Sequence, residues 1–276
     1  MERAVIRRKA IEHDGEARDG GVQSVDRALQ IIETLAEDDE GYRLSDLAVR
    51  TGLSTSTAHR LLTTLEKRRF VQFDRTESKW HVGAQSFAVG ATFTRRRNFV
   101  AQATPYLRKL RDITRETANL AVVDDESIIV LTRIESREIM RSLTKVGGRV
   151  AMVASGVGKA VLATYADEDV NAIIRRQGMP RLTEKSIVRA SDLFRELETI
   201  RRQGFAVDDE EARIGLRCVA AVVFNDCSEP LAAISVSGMT SRVTAERVPE
   251  IGRAVSEVAA ELTTAIKGVM PAASKA

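Results

Sequence analysis

The sequence is poor in cysteine and contains no long apolar segment. Its 276 residues include only Cys218 and Cys227, which are too few for a disulfide scaffold and suit a reducing cytosol. No apolar run reaches the ~18 residues that a membrane span requires. The charged N-terminus also lacks the apolar core of a secretory signal. We therefore expect a cytoplasmic protein with no membrane partner.

Histidine is scarce as well, and this limits the catalytic chemistry. His13, His59 and His81 all lie in the first 81 residues, so Cys218 has no histidine partner within the later part of the chain. No His and Cys cluster has the spacing of metal ligands, and residues 156–160 (GVGKA) lack the full P-loop pattern. We expect no catalytic residue, metal or cofactor. An enzyme of small acids that uses Cys218 is the alternative from a different class.

Basic charge is present in excess, and one segment holds most of that excess. The formal net charge is +3, yet residues 41–98 contain 11 Lys and Arg against 4 Asp and Glu. From residue 99 onward, 25 basic residues nearly balance 24 acidic ones. Phosphate binding requires such a local excess, although a solvated basic face without a partner has the same composition.

The hydrophobic pattern divides the chain into five parts. Residues 1–21 and 269–276 are interpreted as tails, the first of them disordered. Between them we expect a winged helix-turn-helix over residues 22–83, a linker helix over 84–98 and a larger domain over 99–268. The larger domain mixes β-branched runs with helical stretches, and several of these runs are neighbours in sequence. This order is typical of an α+β domain with a mostly antiparallel sheet.

Three short helices are predicted in the first domain, beginning at Ser24, Ser45 and Ser54. Gly52 stands where the second helix needs a left-handed residue after its end. Two short helices joined by such a turn are typical of a helix-turn-helix. The apolar face of the first helix is expected to hold Val25, Ala28, Leu29, Ile32 and Leu35.

The third helix has one apolar face and one polar face. Its apolar stripe is formed by Ala58, Leu61, Leu62 and Leu65. Residues 70–83 then alternate around a polar turn at 75–78, which predicts a β-hairpin wing. Because the N-terminal residues of a recognition helix enter the major groove first, we expect double-stranded DNA to be the partner. The expected DNA contacts are Ser54, Thr55, Ser56, Thr57, Arg60, Thr63, Lys67, Arg75 and Lys79.

The segments after the wing are predicted to be helical. The linker helix carries Phe87, Val89 and Phe93, which we expect to contribute to self-association. One recognition helix reads only a few base pairs, so a symmetric oligomer on a palindromic operator is expected. The next helix is expected to place Tyr106, Leu107, Leu110 and Ile113 on one side.

A second group of polar residues lies in the larger domain. Ser155 and Gly156 stand at a predicted helix start, and Asp208 and Cys218 bound a predicted hairpin or loop–strand unit. Ser235 and Ser237 are two apart on a strand and therefore share a face. These residues are candidates for a small polar pocket, with apolar walls from Met140 and Leu143. The alternative is that Cys218 is simply a small core residue.

The region from residue 204 to residue 225 resembles the signature of IclR-type transcriptional regulators. That signature is a Gly, three residues, an Asp, two residues, a Glu, six residues, Cys-Val-Ala and a final Phe-Asn. It matches here at Gly204, Asp208, Glu211, Cys218, Val219, Ala220, Phe224 and Asn225. The segments VQSVDRALQIIETL, LSTSTAHRLLTTLE and ASGVGKAVLA extend the resemblance over about residues 22–268.

The resemblance implies a GAF/profilin-like effector-binding domain over residues 99–268 and a homodimer or homotetramer. Family members that sense small oxo acids such as glyoxylate or pyruvate use an Asp, a Cys, two Ser and a glycine loop. The matching positions are Asp208, Cys218, Ser235, Ser237 and Gly156. We expect a DNA-binding regulator, a repressor, whose operator binding responds to a C2–C4 oxo-, hydroxy- or semialdehyde acid. A regulator of the same family that responds to an aromatic acid is the alternative.

Overall fold

The computed structural model describes residues 21–97, 99–124, 127–136 and 145–271. The predicted tails, residues 1–21 and 269–276, therefore lie largely outside the described residues. The contacts within the chain separate two compact units, one ending at Phe93 and the other beginning at Thr94. None of the helices among these residues is long and apolar enough to cross a membrane.

The first unit contains three helices, a hairpin and the start of a fourth helix. In order, these are α1 (Gln23–Ala36), α2 (Leu44–Thr51), α3 (Thr55–Lys67), β1 (Val71–Asp74), β2 (Lys79–Val82) and α4 (Ala84–Arg97). The strands β1 and β2 pair antiparallel around residues 75–78, as predicted for the wing. A small core of Ile31, Leu35, Leu47, Leu62 and Trp80 holds the helices against the hairpin. The winged helix-turn-helix is confirmed.

The ends of these helices confirm two predictions and correct two others. The Ser54 hydroxyl caps α3 by accepting a hydrogen bond from the Thr57 amide at 3.2 Å. Gly52 ends α2 in the left-handed region, with φ at 65°. The predicted caps Ser24 and Ser45 are wrong, because both serines lie inside the first turn of their helices, which have no side-chain cap.

Only the second half of the apolar face of α1 is buried within this chain. Ile31 and Leu35 are buried, whereas Val25 and Leu29 are 53% and 52% exposed. The periodicity predicted that Val25 and Leu29 share this apolar face, and it did not predict that they are buried. The periodicity identified the apolar positions, but it carries no information about where the partner surface ends.

The second unit is an antiparallel sheet of six strands with helices on both faces. Its strand order is β5-β4-β3-β8-β7-β6. The strands are β3 (Thr117–Asp124), β4 (Ser127–Ile134), β5 (Arg149–Val150), β6 (Ala206–Asp209), β7 (Leu216–Phe224) and β8 (Pro230–Met239). The helices are α5 (Phe99–Thr114), α6 (Gly156–Leu162), α7 (Asp167–Gln177), α8 (Ala190–Gln203) and α9 (Val248–Ala265). The predicted α+β fold with an antiparallel sheet is confirmed.

Strand β7 shows how the two faces of the sheet differ. Val219, Ala221 and Val223 pack in one core with α5 and α9. Ala220 and Val222 alternate with them and pack in the second core, which includes residues of α6, α7 and α8. Cys218 shares the face of Ala220, so the thiol lies on the side of the sheet that α6 covers.

Two local predictions in this unit concern α5 and the run over residues 138–144. In α5 the buried residues are Phe99, Ala103, Leu107, Leu110 and Thr114, whereas Ile113 is 49% exposed. The pattern predicted that Ile113 lies on the same side as Leu107 and Leu110, but not how far it is buried. The strand-like run over residues 138–144, with Met140 and Leu143, lies outside the described residues. The short strand β5 was not predicted.

Candidate DNA interface and effector pocket

The outer face of α3 is polar, and most of it is exposed. Ser54, Thr55, Ser56, Arg60 and Lys67 are exposed, whereas Thr57 and Thr63 are half-buried. The Ser54 hydroxyl lies 3.1 Å from the Ser56 hydroxyl and 2.9 Å from the Thr57 hydroxyl. Thr63 donates its hydroxyl to the His59 carbonyl at 2.8 Å, so Thr63 offers an acceptor rather than a donor. No carboxylate lies among these residues.

The wing turn is held by Asp74. Its Oδ1 accepts hydrogen bonds from the Thr76 and Glu77 amides at 2.7 and 3.1 Å, and these bonds lower the pKa of Asp74. This arrangement presents Arg75, which is exposed, at the tip. Lys79 is also present, but its ammonium lies 3.4 Å from Glu77. Of these two basic side chains, Arg75 is therefore the more available to an anion.

A groove of about 590 Å³ separates α3 from the start of α2 and the wing. The residues that line it are Arg43, Leu44, Ser45, His59, Thr63, Glu66, Phe73, Arg75, Ser78 and Trp80. Arg43, Ser45 and His59 line this groove and were not predicted to belong to the DNA interface. Arg43 directly precedes α2 and belongs to the basic excess of residues 41–98, which is the sequence signal that points to it.

The second unit brings four of the expected pocket residues together in one polar cluster: Asp208, Cys218, Ser235 and Ser237. Asp208 on β6 is paired with Cys218 on β7, and Cys218 is paired with Ser237 on β8. Ser235 lies two residues earlier on the same face of β8, opposite Asn119 on β3. The strand register therefore creates the polar cluster from residues far apart in sequence.

Gly156, the first residue of α6, packs directly on this polar cluster. A β-carbon at Gly156 would lie 3.1 Å from the Cys218 carbonyl and 3.4 Å from both the Asp208 amide and the Cys218 sulfur. Glycine therefore allows α6 to approach the sheet closely. The Ser155 hydroxyl is used locally, because it accepts from the Gly158 amide at 3.0 Å and donates to the Ala151 carbonyl at 2.7 Å. Met140, also expected at the pocket, lies outside the described residues.

The Cys218 thiol is neutral at physiological pH. Burial raises its pKa to about 11, and the charge of Asp208 also raises it. Hydrogen bonds from Ser237 and Ser235 lower the pKa but do not offset these effects. Asn119, which sequence reasoning missed, donates to the Ser235 and Ser237 hydroxyls at 3.3 and 3.2 Å. The polar cluster thus offers hydroxyl and thiol donors to a ligand but no thiolate nucleophile.

Besides Cys218, three buried ionisable groups lie in or next to the polar cluster: Asp208, which belongs to it, and Lys159 and Glu211. Asp208 accepts hydrogen bonds from the Glu211 and Ala212 amides at 2.8 and 3.2 Å, and burial raises its pKa. Lys159 is fully buried, with its ammonium 2.5 Å from Glu211 Oε1 and 3.2 Å from Glu196 Oε1. Neither Lys159, which lies in the GVGKA segment, nor Glu211, which lies in the signature, was predicted to line the pocket. Within the described part of the chain, no group of His, Cys, Asp and Glu is arranged to hold a metal ion.

The capped third helix, the left-handed turn before it and the hairpin define a winged helix-turn-helix protein with a second α+β unit. The description "IclR helix-turn-helix domain" matches residues 24–75, and "Bacterial transcriptional regulator IclR C-terminal" matches residues 91–264. The chain belongs to the IclR family of bacterial transcriptional regulators. It is therefore a member of a family of regulators rather than of enzymes.

Relatives of known function and structure agree with this assignment. The chain is 40% identical to the acetate operon repressor of Salmonella typhimurium over 251 residues, which is 90% of this chain and 92% of the relative. It is also 40% identical to the transcriptional repressor IclR of Escherichia coli over 252 residues, 91% and 92% of the two chains. The fold is also similar to the crystal structure of an IclR regulator from Alicyclobacillus acidocaldarius, with a TM-score of 0.77 and 26% sequence identity. The match covers 89% of this chain and 99% of that chain.

Proposed function

We propose that this chain is a repressor that binds operator DNA through α3 and the wing, and that a small organic acid at the polar cluster regulates this binding. The observation that carries the DNA part is the exposed surface at the N-terminal half of α3, which offers the hydroxyl groups of Ser54, Thr55 and Ser56 and the guanidinium of Arg60. The carboxylate of α3, Glu66, lies at the other end of the helix. Two relatives that are 40% identical over nine-tenths of the chain bear the name of repressors, which supports repression.

The DNA contacts divide by position on α3 and the wing. Ser54, Thr55, Ser56, Thr57 and Arg60 lie in the first half of α3, the part that enters the major groove in helix-turn-helix proteins. An arginine in this position is suited to bind guanine O6 and N7 with two hydrogen bonds. Lys67, Arg75 and Lys79 are proposed to contact phosphates. The Thr63 hydroxyl, which offers an acceptor, is proposed to accept a hydrogen bond from a base amino group.

Self-association is proposed through apolar side chains that the single chain leaves exposed. Phe87 and Val89 of α4 are 78% and 50% exposed. Val25 and Leu29 of α1 are also exposed by more than half. Solvated aliphatic and aromatic side chains in this number favour a homodimer or a homotetramer in which they become buried. The resulting pair of recognition helices would read two half-sites of one operator.

The effector is proposed to be a small oxo-, hydroxy- or semialdehyde acid. The Ser235 and Ser237 hydroxyls and the neutral Cys218 thiol are donors suited to its oxygen atoms. Asp208 is placed to accept a hydrogen bond from a hydroxyl or an aldehyde hydrate. The four side chains of the polar cluster are small and polar, which favours a compact ligand over an aromatic acid.

A thermal-shift screen of the full-length protein with small acids tests the site. An acid at about 100 times its Kd should stabilise the protein by about 2.7 kcal/mol. Ser235→Ala and Asp208→Ala should each remove this response, while Cys227→Ser, which changes an exposed cysteine, should retain it. A wild-type response in both pocket variants would place the effector elsewhere.

Selection of bound fragments from random DNA would identify the operator.

A further inference from the structure

We propose that the polar cluster binds its organic acid together with one proton, which the neighbouring carboxyl groups of Asp208 and Glu211 hold between them. The ligand class that follows is a monocarboxylate, and dicarboxylates are disfavoured. This inference rests on the proposed function, in which an organic acid binds at the polar cluster.

The first step is the charge that the fold buries beside the polar cluster. Lys159 is completely buried, while Asp208 and Glu211 are 4% and 6% exposed. These three groups come from α6, from β6 and from the turn that follows β6. With both carboxyl groups ionised, the buried charge is one ammonium against two carboxylates.

The other ionisable groups around these residues do not change this balance. Glu196 on α8 contacts the Lys159 ammonium, but its side chain is 31% exposed and is therefore screened by water. Asp209 is half exposed and pairs with Arg217 and Lys185 instead. Cys218 on β7 remains a neutral thiol, as its raised pKa shows.

The second step is an unused oxygen atom on Glu211. Its Oε1 contacts the Lys159 ammonium, but among the described residues its Oε2 has no hydrogen-bond partner although it is buried. A buried carboxylate oxygen without a donor is unfavourable, and either a proton or a donor on a ligand relieves this. Burial raises the pKa of Glu211, and the charge of Asp208 raises it further, while Lys159 opposes both effects.

The third step is the charge that the ligand brings. An ionised organic acid adds a third carboxylate to a site with one buried ammonium. Two coupled carboxyl groups near a new negative charge bind a proton more tightly, so one proton enters with the acid. The protonated carboxyl then becomes a hydrogen-bond donor. A dicarboxylate would require a second proton, so the same site discriminates against it.

The sign of the pH dependence follows from this linkage. The acid raises the pKa of the Asp208–Glu211 pair above its value in the empty pocket. The affinity for the acid is therefore highest at pH values below the pKa that the Asp208–Glu211 pair has in the empty pocket. The affinity falls as the pH rises through that pKa. The Kd increases by up to about tenfold per pH unit until the pKa of the complex is reached.

Isothermal titration calorimetry of the full-length protein with pyruvate and with glyoxylate measures the proton directly. The titrations are made at about pH 8 in several buffers, and the observed binding enthalpy is plotted against the ionisation enthalpy of the buffer. The slope of this plot should correspond to the uptake of about one proton. Succinate should bind at least about tenfold more weakly than pyruvate. Glu211→Gln should bind the acids with almost no proton uptake, because the amide removes one negative charge and supplies a donor.

Glu210→Gln is the matched control, since Glu210 adjoins Glu211 but pairs with the exposed Lys185. It should take up the proton as the wild type does. Acid binding without proton uptake by the wild type from about pH 6.5 to about pH 8.5 would overturn this inference and leave the proposed function intact. Unchanged uptake in Glu211→Gln would also overturn it. No binding of any acid would refute the proposed function itself, and this inference with it.

Discussion

Replacement of Lys159 by methionine should destabilise the second unit severely and in a pH-dependent way. The ammonium is fully buried and lies 2.5 Å from Glu211 Oε1 and 3.2 Å from Glu196 Oε1. Methionine fills a similar volume but leaves the Glu211 carboxylate without the buried ammonium that contacts it. Removing one partner of a buried ion pair costs about 3–5 kcal/mol, which lowers Tm by roughly 6–20 °C in a unit of this size.

The pH dependence has a defined sign. Burial already raises the pKa of Glu211, and loss of Lys159 raises it further, since Lys159 opposes that shift. A carboxyl whose pKa is raised in the folded state costs little stability in acid. The cost grows as the pH rises from the ordinary pKa of about 4.3 toward the raised value. Denaturant unfolding of Lys159→Met should therefore show a larger loss at pH 8 than at about pH 5.

A double-mutant cycle separates charge from packing. Lys159→Met with Glu211→Gln should recover about half or more of the stability that Lys159→Met loses, because no uncompensated buried carboxylate remains at Glu211. Lys185→Met is the matched control, since Lys185 is half exposed and its partners Glu210 and Asp209 are partly and half exposed; we expect it to cost less than about 1 kcal/mol. A loss below about 1 kcal/mol for Lys159→Met, with no pH dependence, would refute the reasoning.

Three further predictions concern the first unit. Arg60→Ala should weaken binding to the selected operator by about 1–3 kcal/mol and random DNA by less; an equal loss on both in mobility shifts would make Arg60 a phosphate contact. Arg75→Ala should reduce the magnitude of the slope of the logarithm of the DNA-binding constant against the logarithm of the salt concentration by about 0.9. An unchanged slope would exclude a phosphate contact by Arg75. Phe87→Asp should shift the oligomer toward the monomer in sedimentation velocity at micromolar concentration, whereas exposed Val49→Asp, on α2, should not.

The features that the sequence predicted well are those that depend on neighbours along the chain. Ser54 caps α3 and Gly52 ends α2 because a hydroxyl before a helix and a left-handed residue after it act locally. Ser24 and Ser45 show the limit of this reasoning, since a serine one residue inside the first turn has the same sequence signal. Val25 and Leu29 show a second limit, because periodicity places residues on one face of a helix but does not show which of them the fold buries.

The pocket residues illustrate a different limit. The signature identified Asp208 and Cys218, but their pairing with Ser237 depends on the register of three strands. Sequence spacing does not determine that register, because non-local pairing is set by the whole sheet. Lys159 and Asn119 were missed for the same reason, since their partners lie 37 or more residues away in the chain.

The most direct test of the central claim is the affinity of full-length protein for its selected operator with and without a saturating small acid. A ligand that distinguishes two states of the regulator should change operator affinity about 5–150-fold, and operator DNA should change acid affinity by the same factor. We predict this reciprocal change in fluorescence anisotropy for the wild type and its loss in Ser235→Ala. Operator affinity that stays the same at saturating acid, with acid binding independently shown, would contradict the account.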